Sequence, residues 1–139
     1  MSREKCRIST LALWKGVVRM RVGRVYDART DQDGMRVLVD RLWPRGLTKA
    51  HADLDEWCKD SAPTTALRKW YAHDPERFAE FRRRYRAELA TGSQAEALAR
   101  LRALIGNGRN VTLLTAAKDP AISEAAVLAD LLNPKSSRR

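Results

Sequence analysis

The sequence predicts an α/β fold: one domain built on a small, mostly parallel sheet of about four strands packed by helices. Three observations carry this. Two short apolar runs, Val37-Leu-Val39 and Val111 to Thr115, are rich in β-branched residues and end in polar turns, as buried strands do. Most of the chain between them carries apolar residues at helical spacing. The 139 residues contain no internal repeat and suffice for a single buried core without covalent staples.

Composition narrows the function classes. Cys6 and Cys58 stand far apart, with no C-x-x-C spacing and no matching histidine pair, so neither a disulfide framework nor a zinc site is predicted. No metal or cofactor is expected. No apolar run approaches the roughly 18–20 residues that span a bilayer, and no signal core is recognisable, so a cytoplasmic protein with no membrane partner is expected. The net charge is +10, but residues 1–19 hold four of those charges and residues 135–139 hold three. The expected organisation is therefore an N-terminal extension over 1–19, an α/β domain over 20–134 and a basic tail over 135–139. Most of the basicity falls on the two ends, where it adds only nonspecific phosphate affinity.

Within the domain, Met20 to Tyr26 reads as the first strand and 35–40 as the second. Asp31-Gln-Asp-Gly34 forms the turn between them, with Gly34 free to take positive φ. That connection is too short for a crossover helix, so the two strands are either antiparallel neighbours or parallel strands that are not adjacent. Thr48 caps a short helix to about Ala52. Leu54, Trp57 and Cys58 suggest a third short strand before Lys59-Asp60-Ser61-Ala62-Pro63. A helix from Thr64 to Tyr71 follows. Asp74 and Pro75 then open another, running to about Ala90, with Phe78, Phe81, Tyr85 and Leu89 on one stripe. Its arginines suit surface ion pairs such as Glu80–Arg84. Ser93-Gln-Ala-Glu96 reads as a capping box, and Gly106-Asn-Gly108 as the stop of that helix. After the strand 111–115, Asp119 caps a last helix that Pro120 opens and Asn133-Pro134 closes.

The strongest site signal is Arg36-Val-Leu-Val-Asp-Arg-Leu-Trp-Pro-Arg-Gly46, a strand that stops at Pro44 and delivers guanidiniums, a carboxylate and an indole together. In open α/β sheets ligands gather beyond the carboxyl ends of the strands. Three predicted strand ends carry polar pairs there: Asp40-Arg41 with Arg45, Lys59-Asp60, and Lys118-Asp119. Arg41, Arg45 and Lys118 suit a phosphate or carboxylate, Asp40 suits an orienting group or general base, and Trp43 suits a wall. His73 beside a helix start is a further candidate, while Asp119 reads more readily as a cap. Trp57, Trp70 and Tyr71 read as core. Gly-rich phosphate loops, zinc-ligand pairs and nucleophile elbows are missing from the sequence.

The same residues resemble a known family. Arg24-Val-Tyr-Asp27, Asp33-Gly34 and Val37-Leu-Val-Asp-Arg-Leu-Trp-Pro-Arg-Gly-Leu47 resemble the family called domain of unknown function 488, in its short YeaO-like branch. The likeness continues through Leu54-Asp-Glu-Trp57, Lys59-Asp60, Leu67-Arg-Lys-Trp70, His73-Asp-Pro75 and Ala116-Ala-Lys-Asp119, covering about residues 20–132. The resemblance implies a small bacterial α/β protein whose polar strand ends form a shared site, and carries no established activity with it. The chain departs from the family pattern at Thr115, where relatives carry Tyr, and at Pro120-Ala-Ile-Ser-Glu124, where they carry a His-Asn pair. A mechanism needing that histidine does not carry over.

Two functions are therefore expected from the sequence. The first is a small cytoplasmic enzyme acting on an anionic ligand, with Asp40 catalytic and Arg41, Trp43, Arg45, Lys59, Asp60, His73, Lys118 and Asp119 binding substrate. The alternative is a nucleic-acid or nucleotide-binding module using the arginine-rich helix 75–90 and the basic ends.

Overall fold

A computed structural model describes residues 20–106 and 110–133. The expected extension, the basic tail, Pro134 and the last two residues of the Gly106-Asn-Gly108 stop lie outside the described residues. Four strands, β1 (Met20–Arg24), β2 (Met35–Leu38), β3 (Glu56–Trp57) and β4 (Val111–Thr115), form one sheet in the order β1-β4-β2-β3. Every pairing is parallel: Met20 to Arg24 lie beside Val111 to Thr115, Met35 to Leu38 beside Val111 to Leu114, and Val37–Leu38 beside Glu56–Trp57. Of the two arrangements open for the first strands, the structure has the parallel one, with β4 inserted between them. The turn joining them closes tightly. Gly34 has φ +65°, and a Cβ there would lie 2.1 Å from the Asn110 carbonyl, so only glycine fits.

The strands are shorter than their apolar runs suggest. β1 ends at Arg24 rather than Tyr26, and β2 at Leu38 rather than Asp40, although the Val39 amide still donates to the Leu114 carbonyl at 3.1 Å. The third strand is only Glu56–Trp57 at the edge, and Lys59–Ser61 is a 3-10 turn.

Five helices complete the fold: α1 (Lys49–Ala52), α2 (Thr65–Tyr71), α3 (Phe78–Glu88), α4 (Gly92–Gly106) and α5 (Glu124–Leu132). Thr48 caps α1 and Thr64 caps α2 through their side-chain oxygens. Three predicted boundaries move. Asp74 caps a 3-10 turn, Pro75–Arg77, that precedes α3. α4 begins at Gly92, so Ser93 stands inside its first turn and caps nothing. Asp119 caps a separate 3-10 turn, Pro120–Ile122, and α5 has its own cap, Ser123, whose Oγ accepts from the Ala126 amide at 3.4 Å. A second polar residue with extended backbone thus splits what periodicity reads as one helix.

The two faces of the sheet are covered unequally, as the alternation of strand side chains permits. Val37, Val39, Val111 and Leu113 belong to the large core with Tyr71, Phe81, Tyr85, Leu101 and Leu128 from the helices. Leu38, Leu114 and Val25 meet a smaller cluster closed by Ala52, Trp43, Leu47 and Leu54. Helices pack the first face, and α1 with the chain around it covers the second.

Candidate functional site

At the amino end of β2, on the loop-covered face, Arg36 is fully buried and fully partnered. Its Nη1 donates to Asp33 at 2.9 Å, and its remaining nitrogens donate to the carbonyls of Asp27, Ala52 and Asp53 at 2.9–3.0 Å. Burial alone would raise the Asp33 pKa, but the hydrogen bonds from Arg36 and Thr30 outweigh it and hold the carboxyl below its ordinary value. Every nitrogen of this guanidinium donates to a protein acceptor.

The carboxyl end of the sheet is built differently. Asp40, just past β2, accepts from Thr115 Oγ1 at 2.8 Å on one oxygen and from the Ala116 amide at 2.8 Å on the other. Its carbonyl accepts from Trp57 Nε1 at 2.7 Å. Asp40 therefore stitches the ends of β2, β3 and β4 together. It also meets Glu124, the first residue of α5, whose pKa is pushed well above its ordinary value by burial first and then by the hydrogen bond to Asp40 and its charge. Arg68 pulls the other way without prevailing. Burial and the neighbouring Asp40 carboxylate thus make Glu124 hold its proton more tightly than a free carboxyl does.

These groups line a cavity of ≈ 300 Å³. Asp40, Arg41, Trp43, Arg45 and His73, all predicted from sequence, face it together. Trp43 is fixed as a wall: its Nε1 donates to the Leu47 carbonyl at 2.7 Å, and its ring meets Trp57 edge-on at 5.3 Å. His73 follows Ala72, and both take positive φ, 56° and 49°, a strained pair for residues with side chains. Arg41 carries the one buried side-chain polar atom, its Nε, left without a hydrogen-bond partner among the described residues.

Lys59, Asp60, Lys118 and Asp119 lie elsewhere. Lys59 sits over the Trp57 ring at 5.3 Å, and it and Asp60 line a separate shallow groove beside Arg100. Asp119 Oδ1 accepts from the Ala121 amide at 3.1 Å as a cap, and Lys118 is exposed outside the cavity. β3 ends early and turns into its 3-10 segment, which carries the Lys59-Asp60 pair off to the sheet's outer edge.

The cavity also contains residues that sequence reasoning passed over: Tyr26, Arg68, Thr115 and Glu124. Tyr71, read as core, is both. It stacks on Phe81 at 4.2 Å and gives its hydroxyl to the Ile122 carbonyl at 2.5 Å while bordering the cavity. Burial, with Asp119, Asp74 and Glu124 nearby, pushes its pKa up to about 12, so it stays a neutral donor. The one legible signal for Glu124 was its place: an acid at the first position of a helix shortly after a central strand, where the helix dipole favours it.

The arginines of α3 are largely engaged. Arg84 and Arg83 reach Glu80 at 2.7 and 2.5 Å and pull its pKa down to about 2, and Arg82 reaches Asp130 at 3.4 Å. Arg77 and Arg84 also lie over Trp70, at 5.2 and 4.3 Å. Among the described residues no group of three or more His, Cys, Asp or Glu is placed to hold a metal ion, and no helix is long and apolar enough to cross a membrane.

Residues 19–139 match a family model described as the inactive DUF488-N3 subclade. Among curated proteins, the uncharacterized protein Rv3073c of Mycobacterium tuberculosis is 52% identical over 115 residues, 83% of this chain and 94% of that protein. The uncharacterized protein YeaO of Escherichia coli is 46% identical over 109 residues, 78% of this chain and 92% of that one. No solved structure matches the chain.

Proposed function

Because the chain belongs to the DUF488 family, in the subclade described as inactive, we propose that it binds a small anionic molecule in the cavity without transforming it. Arg41 and Arg45 hold the anion, and Trp43 and Tyr26 wall it. The observation that carries this reading is the orphaned Arg41 Nε. A buried donor without an acceptor costs about 1–3 kcal/mol, and more when it belongs to a charged group. A carboxylate or phosphate beside Arg41 recovers that cost through charge-assisted hydrogen bonds. Each guanidinium nitrogen of Arg36 has a partner within the protein, so the shortfall belongs to this end of the sheet.

Calorimetric titration of the full chain with carboxylates, phosphate and nucleotides tests the reading. Saturable binding that Arg41→Ala removes supports it, and equal binding by the variant refutes it. A second reading, proton transfer to a bound substrate, is favoured by the Asp40–Glu124 pair, since a carboxyl whose pKa is raised by burial is better equipped as a general acid. Turnover abolished by Asp40→Asn would carry that reading.

A further inference from the structure

A cavity built only to hold an anion has no use for two carboxyl groups. Asp40 and Glu124 both line this one, and neither group favours a second anion. Asp40 already accepts from Thr115 Oγ1 and the Ala116 amide, but each carboxylate oxygen has a second lone-pair site. Glu124 also lines the cavity beside Asp40 and brings further acceptor sites to the same place. The tyrosines beside Glu124 add none of their own donors: Tyr71 gives its hydroxyl to Ile122, and Tyr85 gives its to Ser61. Arg68 is the cation facing Glu124, from the exposed side of α2. The rings of Tyr71 and Phe81 border the same space, and aromatic faces favour a cation over a second anion. The site is therefore dipolar, with cations on Arg41 and Arg45 and acceptors at Asp40 and Glu124.

We propose that the molecule held here is zwitterionic: its carboxylate or phosphate lies on Arg41 and Arg45, and a protonated amine lies between Asp40 and Glu124. This rests on the anion-binding reading above and narrows it to one ligand class. The ammonium takes the place of the proton that Glu124 holds, and the Glu124 carboxyl then ionises against it. One proton leaves to solvent for each ammonium that enters, so the net charge of the pair with its cation is unchanged.

The test uses the full chain and two matched series of probes: ω-amino acids from β-alanine to 6-aminohexanoate, and the unsubstituted carboxylates from propionate to hexanoate. Affinities are measured by calorimetry in Tris and in imidazole, whose different ionisation heats report protons released. One amino acid length should bind at least about tenfold tighter than its amine-free partner and release about one proton. Glu124→Gln should erase that gap while keeping the weaker carboxylate binding. If that variant does not fold, the comparison of the two series on the unaltered chain decides alone. Equal affinities for the two series, or binding without proton release, overturn the zwitterion and leave the anion reading standing. No binding by either series, nor by inorganic phosphate, overturns both.

Discussion

β2 and its immediate extension carry two charged residues, Arg36 and Asp40, and the two ends of the strand treat charge in opposite ways. At the amino end, Arg36 is buried against Asp33 and three backbone carbonyls, and no guanidinium nitrogen lacks a partner. At the carboxyl end, Glu124 lies against Asp40 with its pKa raised, and Arg41 keeps a buried Nε without an acceptor. The first arrangement is closed and fixes the loops on the minor face. The second is open and strained, which is what a rigid scaffold tolerates where something else binds. Burial of charge is therefore a poor marker of function by itself, and the marker here is incomplete satisfaction.

The contrast can be broken by substitution. Arg36→Met takes from Asp33 its closest cation, leaving only the Thr30 hydrogen bonds and Arg21 at 3.8 Å, and should cost about 3–5 kcal/mol in chemical denaturation, the largest effect expected in the molecule. A loss under about 1 kcal/mol would mean that the closed end is not what holds the loops. Thr115→Val removes a donor to Asp40 and the acceptor of the Ala117 amide, and should cost about 1–3 kcal/mol by the same assay.

The two ends should also respond oppositely to pH. Asp33 has its folded pKa below the ordinary 3.8, so its contribution is present at neutral pH and is lost as pH falls through and below that value. Glu124 has its folded pKa above the ordinary 4.5, so the unfolded chain ionises first and stability falls as pH rises from 4.5 towards the raised value. The slope cannot exceed about 1.4 kcal/mol per pH unit for one proton. Glu124→Gln should flatten that decline in denaturation curves taken across the acidic to neutral range, and an unchanged slope would place the titrating group elsewhere. The smallest stability change belongs to Arg41→Ala. It should leave the denaturation midpoint within about 0.5 kcal/mol of the parent, or raise it, because an unsatisfied donor is removed. Binding, by contrast, should be lost.

The motif at the end of β2 was legible because a strand interrupted by Asp-Arg-Leu-Trp-Pro-Arg has few uses for so many polar groups in one place. Asp40, Arg41, Trp43 and Arg45 duly face one cavity. Lys59-Asp60 and Lys118-Asp119 looked equivalent in sequence, each following an apolar stretch. They diverge in space because Lys59-Asp60 lies within one 3-10 turn and Lys118-Asp119 immediately precedes another, and each turn redirects the chain. Arg68 and Glu124 left almost no trace, being ordinary polar residues on helices whose orientation local sequence does not fix.

By itself the sequence determined the apolar runs that become β2 and β4, the stripe that buries Phe81, Tyr85 and Leu89, and the cap at Thr48. Each depends on interactions within a few residues, where side-chain chemistry and backbone geometry are tightly coupled. Only the tertiary structure decided that β4 enters between β1 and β2, since the short Gly34 turn permitted two arrangements and pairing with a strand some 75 residues later chose one. The same long-range step brought Glu124 against Asp40. A raised pKa, an orphaned guanidinium nitrogen and a dipolar cavity exist only once those distant segments meet, because desolvation and charge proximity are properties of the packed chain.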